Sequence, residues 1–224
     1  MRISSDKINW RVAAGEVLLI VVGILLALAI DSWAERRKDL AQADVYLNDI
    51  ALELTAELQR IEANREQLGQ LVESARRLLN TLNTPETQEP DPGGLLIGSV
   101  FGEGVTRQSA IWQELQMTGA LRLIPNPDLR SAIVSHYLGQ AGRYNVIDAN
   151  FMPAVRDLRA LAWDLMPIDS FQHYWKTRES GVPAQAVLEK LRARNDAVYL
   201  LKRLIMTATV AQSNLERASE STTQ

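Results

Sequence analysis

The chain has 224 residues, 24 Lys and Arg against 27 Asp and Glu, and a net charge of −3, a balance that argues against a nucleic-acid partner over the whole chain. It has no cysteine and only two histidines, His136 and His173, so disulfides, thiol nucleophiles and Cys-based metal sites are excluded. Past residue 33 it is rich in Leu, Ala, Glu and Arg, the composition of an all-α protein.

Residues 1–11 form a short basic arm. Val17 to Ile30 is then 14 residues without a charge, roughly 21 Å of helix and too short for a bilayer core of about 30 Å. Counted from Val12 the run reaches 19 residues and spans, with Glu16 about 6 Å inside its edge. Three readings compete. The basic arm, the short apolar run and Ala27-Leu28-Ala29 fit a cleavable signal peptide. A run of 14 also fits a buried core helix. A retained transmembrane helix over 12–33 fits more of the features. Trp10 and Trp33 bracket it as interface anchors, its apolar residues cover all sides, and helix signals continue past Ala29. Lys and Arg tie across the two flanks. Counting acids favours the N-terminus inside and the large domain outside.

Glu16, Ile20, Gly23, Ala27 and Ile30 share one stripe at 100° per residue. Gly23 and Ala27 form a small-x-x-x-small pair that admits a second helix, and Glu16 could be satisfied across that contact. The plainer alternative has Glu16 reaching headgroup water.

Between Trp33 and Asn83 there is no proline, and Leu40, Leu47, Leu54, Ile61, Leu68, Ala75 and Leu82 recur every seventh residue. This predicts a long amphipathic helix continuous with the membrane segment, residues 34 to about 45 serving as a stalk. The second heptad position holds Glu57 and Asn64, which favours one face packed into a helical bundle over a pure coiled coil.

The stretch 83–105, rich in Pro and Gly, reads as a long loop inside a bundle domain over 34–218. Thr106 is a candidate N-cap for a short helix stopped by Gly119. Asn126 and Pro127 start another, which Gly139, Gly142 and Pro153 are expected to bend or break. Asp157 and Asp164 read as solvated acids. A last helix of about 35 residues opens at Pro183, with Leu188, Leu191, Val198, Leu201 and Ile205 as its stripe, before a polar tail at 219–224. The expected architecture is an N-terminal transmembrane helix continuing into a long helix of an antiparallel helical bundle.

The matching positions Gly15, Glu16, Gly23, Ile24, Leu25, Ala27, Leu28, Asp31, Trp33 and Glu35 resemble the opening of a family of uncharacterised bacterial membrane proteins, a domain of unknown function. The resemblance continues at Leu47–Leu54 and Ile111–Tyr137 and fades after about residue 140. Ala29 and Ala34 depart from its more polar pattern. It implies a retained anchor in the bacterial inner membrane, which with the charge count places the large domain in the periplasm, and brings no activity.

His136 has no carboxylate three or four residues away, so local spacing suggests no metal pair. Phe171, His173, Tyr174 and Trp175 form a candidate pocket or interface, with capping of a bundle end as the plainer alternative. No nucleophile elbow or phosphate loop is present, and the residues imply no catalytic centre, cofactor or metal. The expected function is therefore non-enzymatic. A single-pass anchored helical domain would bind itself or another envelope protein, its other partner being the bilayer. The alternative is a ligand-sensing helical domain that acts through a partner.

Overall fold

The structure is a computed structural model that describes residues 10–84, 86–101 and 109–223, with side chains from Ala14 onward. Residues 1–9 of the expected N-terminal arm, the Trp10 side chain, Thr106 and Gln224 lie outside what is described. The described residues form seven α-helices and one 3-10 turn, with no strand.

Helix α1, Trp10–Asn83, is a single run of 74 residues, about 110 Å long. Uninterrupted helix formers carry it, and the chemistry of its surface changes along it. From Ala14 to Gln42 every residue is exposed; burial begins at Ala43. Ala43, Tyr46, Ile50, Glu57, Ile61, Leu68, Leu71, Ala75 and Leu78 are then buried at three-, four- and seven-residue steps, as expected for one face on a core.

Two long helices pack on that face. Helix α4, Pro127–Leu165, starts as its sequence predicts: Asn126 Oδ1 accepts from the Asp128 and Leu129 amides at 2.9 and 3.2 Å, and Pro127 fills the first turn. It runs on through Gly139, Gly142 and Pro153, correcting the expected break. Phe151, Ala154, Val155 and Leu158 are buried around Pro153, and that packing outweighs the ~3 kcal/mol a helix-interior proline costs. The buried residues Ile133, Tyr137, Gln140, Tyr144, Ile147, Phe151, Ala154, Leu158, Leu161 and Leu165 follow an alternating four-three spacing.

The expected 35-residue last helix is two helices, α6 at Ala184–Arg192 and α7 at Ala197–Thr223. Asn195 and Asp196, turn formers, occupy the break. The buried seam of α7 is Ala197, Leu201, Leu204, Ala208, Ala211, Leu215 and Ala218. Val198 and Ile205, expected on that stripe, are only half-buried. Alanines hold four of the seven seam positions, which lets the backbones of α1 and α4 approach α7 closely. The polar end of the chain is no separate tail: α7 continues to Thr223, and Thr222 and Ser221 touch α4.

Contacts along α7 fall in reversed residue order against both neighbours. Against α1, Arg65 meets Glu216 at 3.2 Å, and Gln212 lies beside Gly69. Against α4, Gln140 meets Ala218, Asp157 meets Arg203, and Asp164 meets Arg194 just before α7. Both aspartates are exposed, as expected of solvated acids, and each is also ion-paired with an arginine distant in sequence.

Part of the expected 83–105 loop is core: residues 92–97, 99 and 100 are buried. Helix α2, Pro92–Gly98, is buried from Pro92 to Ile97. Asp91 caps it, Oδ1 accepting from the Gly94 amide at 2.9 Å, while Oδ2 accepts from the Ser180 amide at 2.8 Å and the Ser180 hydroxyl also donates to the carboxylate. Glycine is needed at 93: a Cβ there would stand 2.6 Å from Ser180 Oγ and 2.7 Å from Met166 Cε. Helix α3, Ala110–Thr118, is capped by Ser109, whose Oγ accepts from the Trp112 amide at 2.8 Å. The cap expected at Thr106 is therefore three residues further on. Gly119, at φ 67°, ends α3 as predicted.

A smaller core of Tyr46, Ile50, Leu115, Ala120, Ile124, Ile133 and Tyr137 joins α3 and the 3-10 turn Ala120–Leu123 to α1 and the start of α4, next to the exposed part of α1.

Candidate functional site

Three places carry unusual chemistry. The first is the apolar, fully exposed part of α1. This segment is long and apolar enough to be a candidate membrane span. Glu16, Ile20, Gly23, Ala27 and Ile30 all lie on its open surface, and a Cβ added at Gly23 would meet no described atom within 4 Å. Trp33, 60% exposed, has the Arg37 guanidinium 5.5 Å from its ring centroid, placing an aromatic and a cation together at the end of the apolar stretch.

The second is helix α5, Ile168–Thr177, with the predicted aromatics. They divide. Phe171 is buried in the main core and Tyr174 packs against it, its hydroxyl beside Gly98. Trp175 is exposed and meets Phe101 edge-on at 5.1 Å, and Phe101 meets Phe171 at 5.9 Å. The Arg178 guanidinium lies within 6 Å of both the Tyr174 and Trp175 rings. His173 is exposed and rims a shallow depression with Ser180 and Gly181. Two of the four residues thus pack into the main core and two face out.

The third place was not predicted. Where α1, α4 and the end of α7 meet, Glu57 and His136 face each other, Nε2 to Oε2 at 3.2 Å, their side chains 11% and 10% exposed. His136 Nδ1 lies 3.4 Å from the Ser221 carbonyl oxygen. Both ring nitrogens are engaged, so the imidazole ties three helices together and offers no free nitrogen to an incoming substrate. Tyr137 donates to Glu53 Oε1 at 3.1 Å and stacks on Trp112 at 4.8 Å. Arg143 donates to Ser221 Oγ at 3.1 Å, and Gln140 Nε2 donates to the Ala218 carbonyl and Thr222 Oγ1 at 3.3 and 3.1 Å.

Burial pushes the Tyr137 phenol well above its ordinary range, helped by the Glu53 and Glu57 charges against an opposing Ser109 hydrogen bond. Tyr144 is pushed up to about 12, by burial first and then by Glu57. Both phenols are therefore protonated donors at neutral pH.

Two cavities flank this cluster. One of about 460 Å3 is mostly apolar, with Ile50, Leu54, Leu129 and Ile133 on its walls and His136 and Arg143 at its polar end. The other, of about 130 Å3, lies between α1, α3 and α4. Among the described residues, no group of three or more His, Cys, Asp or Glu is placed to hold a metal ion.

A search along one helix at three- and four-residue spacing could not find the partner of His136, because Glu57 is 79 residues away. The legible signal was Glu57 itself, an acid on a core position of the long heptad pattern.

Comparison with protein-family models, with curated proteins and with solved structures finds no match for this chain.

Proposed function

We propose that this chain is a non-enzymatic, single-pass protein of the bacterial inner membrane whose antiparallel helical bundle binds another envelope protein or a second copy of itself, and that it belongs to the membrane-protein family its Gly15–Glu35 segment resembles. The observation that carries the reading is the continuity of α1. One unbroken helix holds an exposed apolar segment, an exposed stalk over 34–42 and the central face of the core. A helix that joins membrane and bundle without a hinge converts a contact between membrane segments into a defined placement of the bundles outside.

In this reading Glu16, Ile20, Gly23, Ala27 and Ile30 form the helix contact, with Trp10 and Trp33 at the two interfaces. Crosslinking and native electrophoresis of the full chain in membranes test it. A dimer or a defined complex is expected, weakened by Gly23→Ile and by Glu16→Ala. A monomer under every condition would overturn it. A cysteine at the exposed Ser213, labelled in intact cells by an impermeant maleimide while the protein stays membrane-bound, is the expected result for a periplasmic bundle. Labelling only after lysis would reverse that orientation.

A second reading, a ligand-sensing helical domain, draws support from one observation. Gln140 Oε1 is buried without a hydrogen-bond partner among the described residues, beside the smaller cavity. That position differs from the Phe171–Trp175 rim expected from the sequence.

A further inference from the structure

We propose that the larger cavity, where α1, α4 and the last turn of α7 meet, binds a single-chain amphiphile with an anionic head, a medium-chain carboxylate. The inference rests on the ligand-sensing reading and names the chemistry of its ligand.

Arg143 supplies the first argument. Arg65, Arg77, Arg194 and Arg203 each meet a carboxylate of the chain. Arg143 is half-buried on α4, and among the described residues it is bonded to the neutral Ser221 hydroxyl and to no carboxylate. A guanidinium carries five N–H donors in a fork that matches a carboxylate two at a time, so one such bond leaves most of the fork unused. Gly139, one turn earlier, makes room for it. Arg143 Nη1 lies 3.3 Å from where a Cβ at 139 would stand, so the guanidinium folds back along the helix at the edge of the cavity.

The rest of the polar lining leaves Arg143 as the group that selects. No Asp or Glu is among the residues that line this cavity. His136 has both ring nitrogens engaged, by Glu57 and by the Ser221 carbonyl. The Tyr137 hydroxyl donates to Glu53, and the Ser221 and Thr222 hydroxyls donate to the Ala218 carbonyl. Ser135 adds a hydroxyl at the exposed rim. One positive charge with unspent donors therefore faces a cavity whose lining has no negative charge. A partly buried guanidinium gains most from an anion that it can bond with two parallel N–H groups.

The other end of the cavity suits hydrocarbon. Ile50 and Leu54 of α1 and Leu129, Ala132 and Ile133 of α4 have no polar side-chain atom, and Leu129 is left 39% exposed. A methylene chain lying on these residues removes their surface from water. About 460 Å3 equals roughly fifteen waters at ~30 Å3 each and falls within the ~300–1,000 Å3 of small-ligand sites. That admits one chain of roughly eight carbons with its head group and excludes a two-chain phospholipid.

Photolabelling of the full chain in lipid nanodiscs tests the proposal, with octanoate carrying a terminal diazirine as probe and peptide mass spectrometry as readout. The expected result is label on the peptides around Ile50–Leu54 and Leu129–Ile133, removed by excess octanoate and far less by octan-1-ol or octylammonium. Arg143→Gln removes the charge, and Leu129→Glu sets an acid on the wall; each is expected to lower that label about tenfold, with label in the exposed apolar part of α1 unchanged. If Arg143→Gln fails to fold, Leu129→Glu carries the test, because Leu129 already lies at the surface. Site label that is unchanged in both variants overturns the inference. Equal competition by octylammonium or octan-1-ol keeps the ligand reading and refutes the anionic class. Label confined to the exposed apolar part of α1 refutes both.

Discussion

Glu57 on α1 and His136 on α4 meet at 3.2 Å across 79 residues of sequence, both side chains about nine-tenths buried, with the Ser221 carbonyl on the other side of the imidazole. The contact sets the register of the three long helices at one level. Removing one partner strands the other in a dry environment. Glu57→Ala and His136→Ala are each expected to cost about 3–5 kcal/mol, measured by denaturant unfolding of the full chain. The double change Glu57→Leu with His136→Leu is expected to recover part of that loss, because the buried pair is removed together while the Ser221 carbonyl and the Tyr144 hydroxyl still lose a contact. Equal losses for single and double variants would contradict the pairing.

The two buried phenols predict an alkaline transition. An acid raised above its ordinary pKa of 10 in the folded state binds its proton more tightly there than in the unfolded chain. Its stabilising contribution is complete below pH 10 and is lost as pH rises toward the folded value. Stability is therefore expected to fall from pH 10 to about 12, the value for Tyr144, by roughly 1 kcal/mol per pH unit for each tyrosine. Tyr144→Phe should flatten the profile, read by unfolding and by tyrosinate absorbance. A flat wild-type profile would be inconsistent with burial of either phenol.

The alanine seam of α7 predicts intolerance of larger residues. Ala208 and Ala211 are essentially fully buried between the helices they face. Ala208→Leu is expected to destabilise by about 1–3 kcal/mol through overpacking, and Leu204→Ala by about 2–5 kcal/mol through the cavity it leaves. The exposed Met206→Leu serves as control, with a change near zero in the same measurement.

Asp91 and Gly93 predict how firmly α2 is held. Asp91→Ala removes an N-cap and both bonds from Ser180, for an expected loss of about 1–3 kcal/mol. Gly93→Ala drives a Cβ into Ser180 and Met166 and is expected to loosen α2 and raise cleavage by protease at 86–101. Limited proteolysis checks both. Unchanged cleavage in Gly93→Ala would mean that the close approach yields easily.

The all-α class, the apolar segment over 12–33, the long first helix and the caps at Asn126 and Gly119 were legible in the sequence, because each rests on local forces. Hydrophobic periodicity, proline and glycine geometry and side-chain capping act within a few residues. The helix N-terminus at Pro127 needed only Asn126 and its neighbours. The same local rules failed wherever distant chain decides. Pro153 stays inside α4 because residues packed around it outweigh its local cost. Pro92 to Ile97 is core because Asp91 is bonded by Ser180, 89 residues on. Leu201 of the α7 seam was legible, but its four alanines escaped notice because alanine carries almost no hydrophobic signal and matters only when another backbone lies against it. The polar cluster of Glu57, His136 and Gln140 belongs to the tertiary structure alone: hydrogen bonding is short-ranged in space and indifferent to separation in sequence, so the groups define a site only once three helices have brought them together.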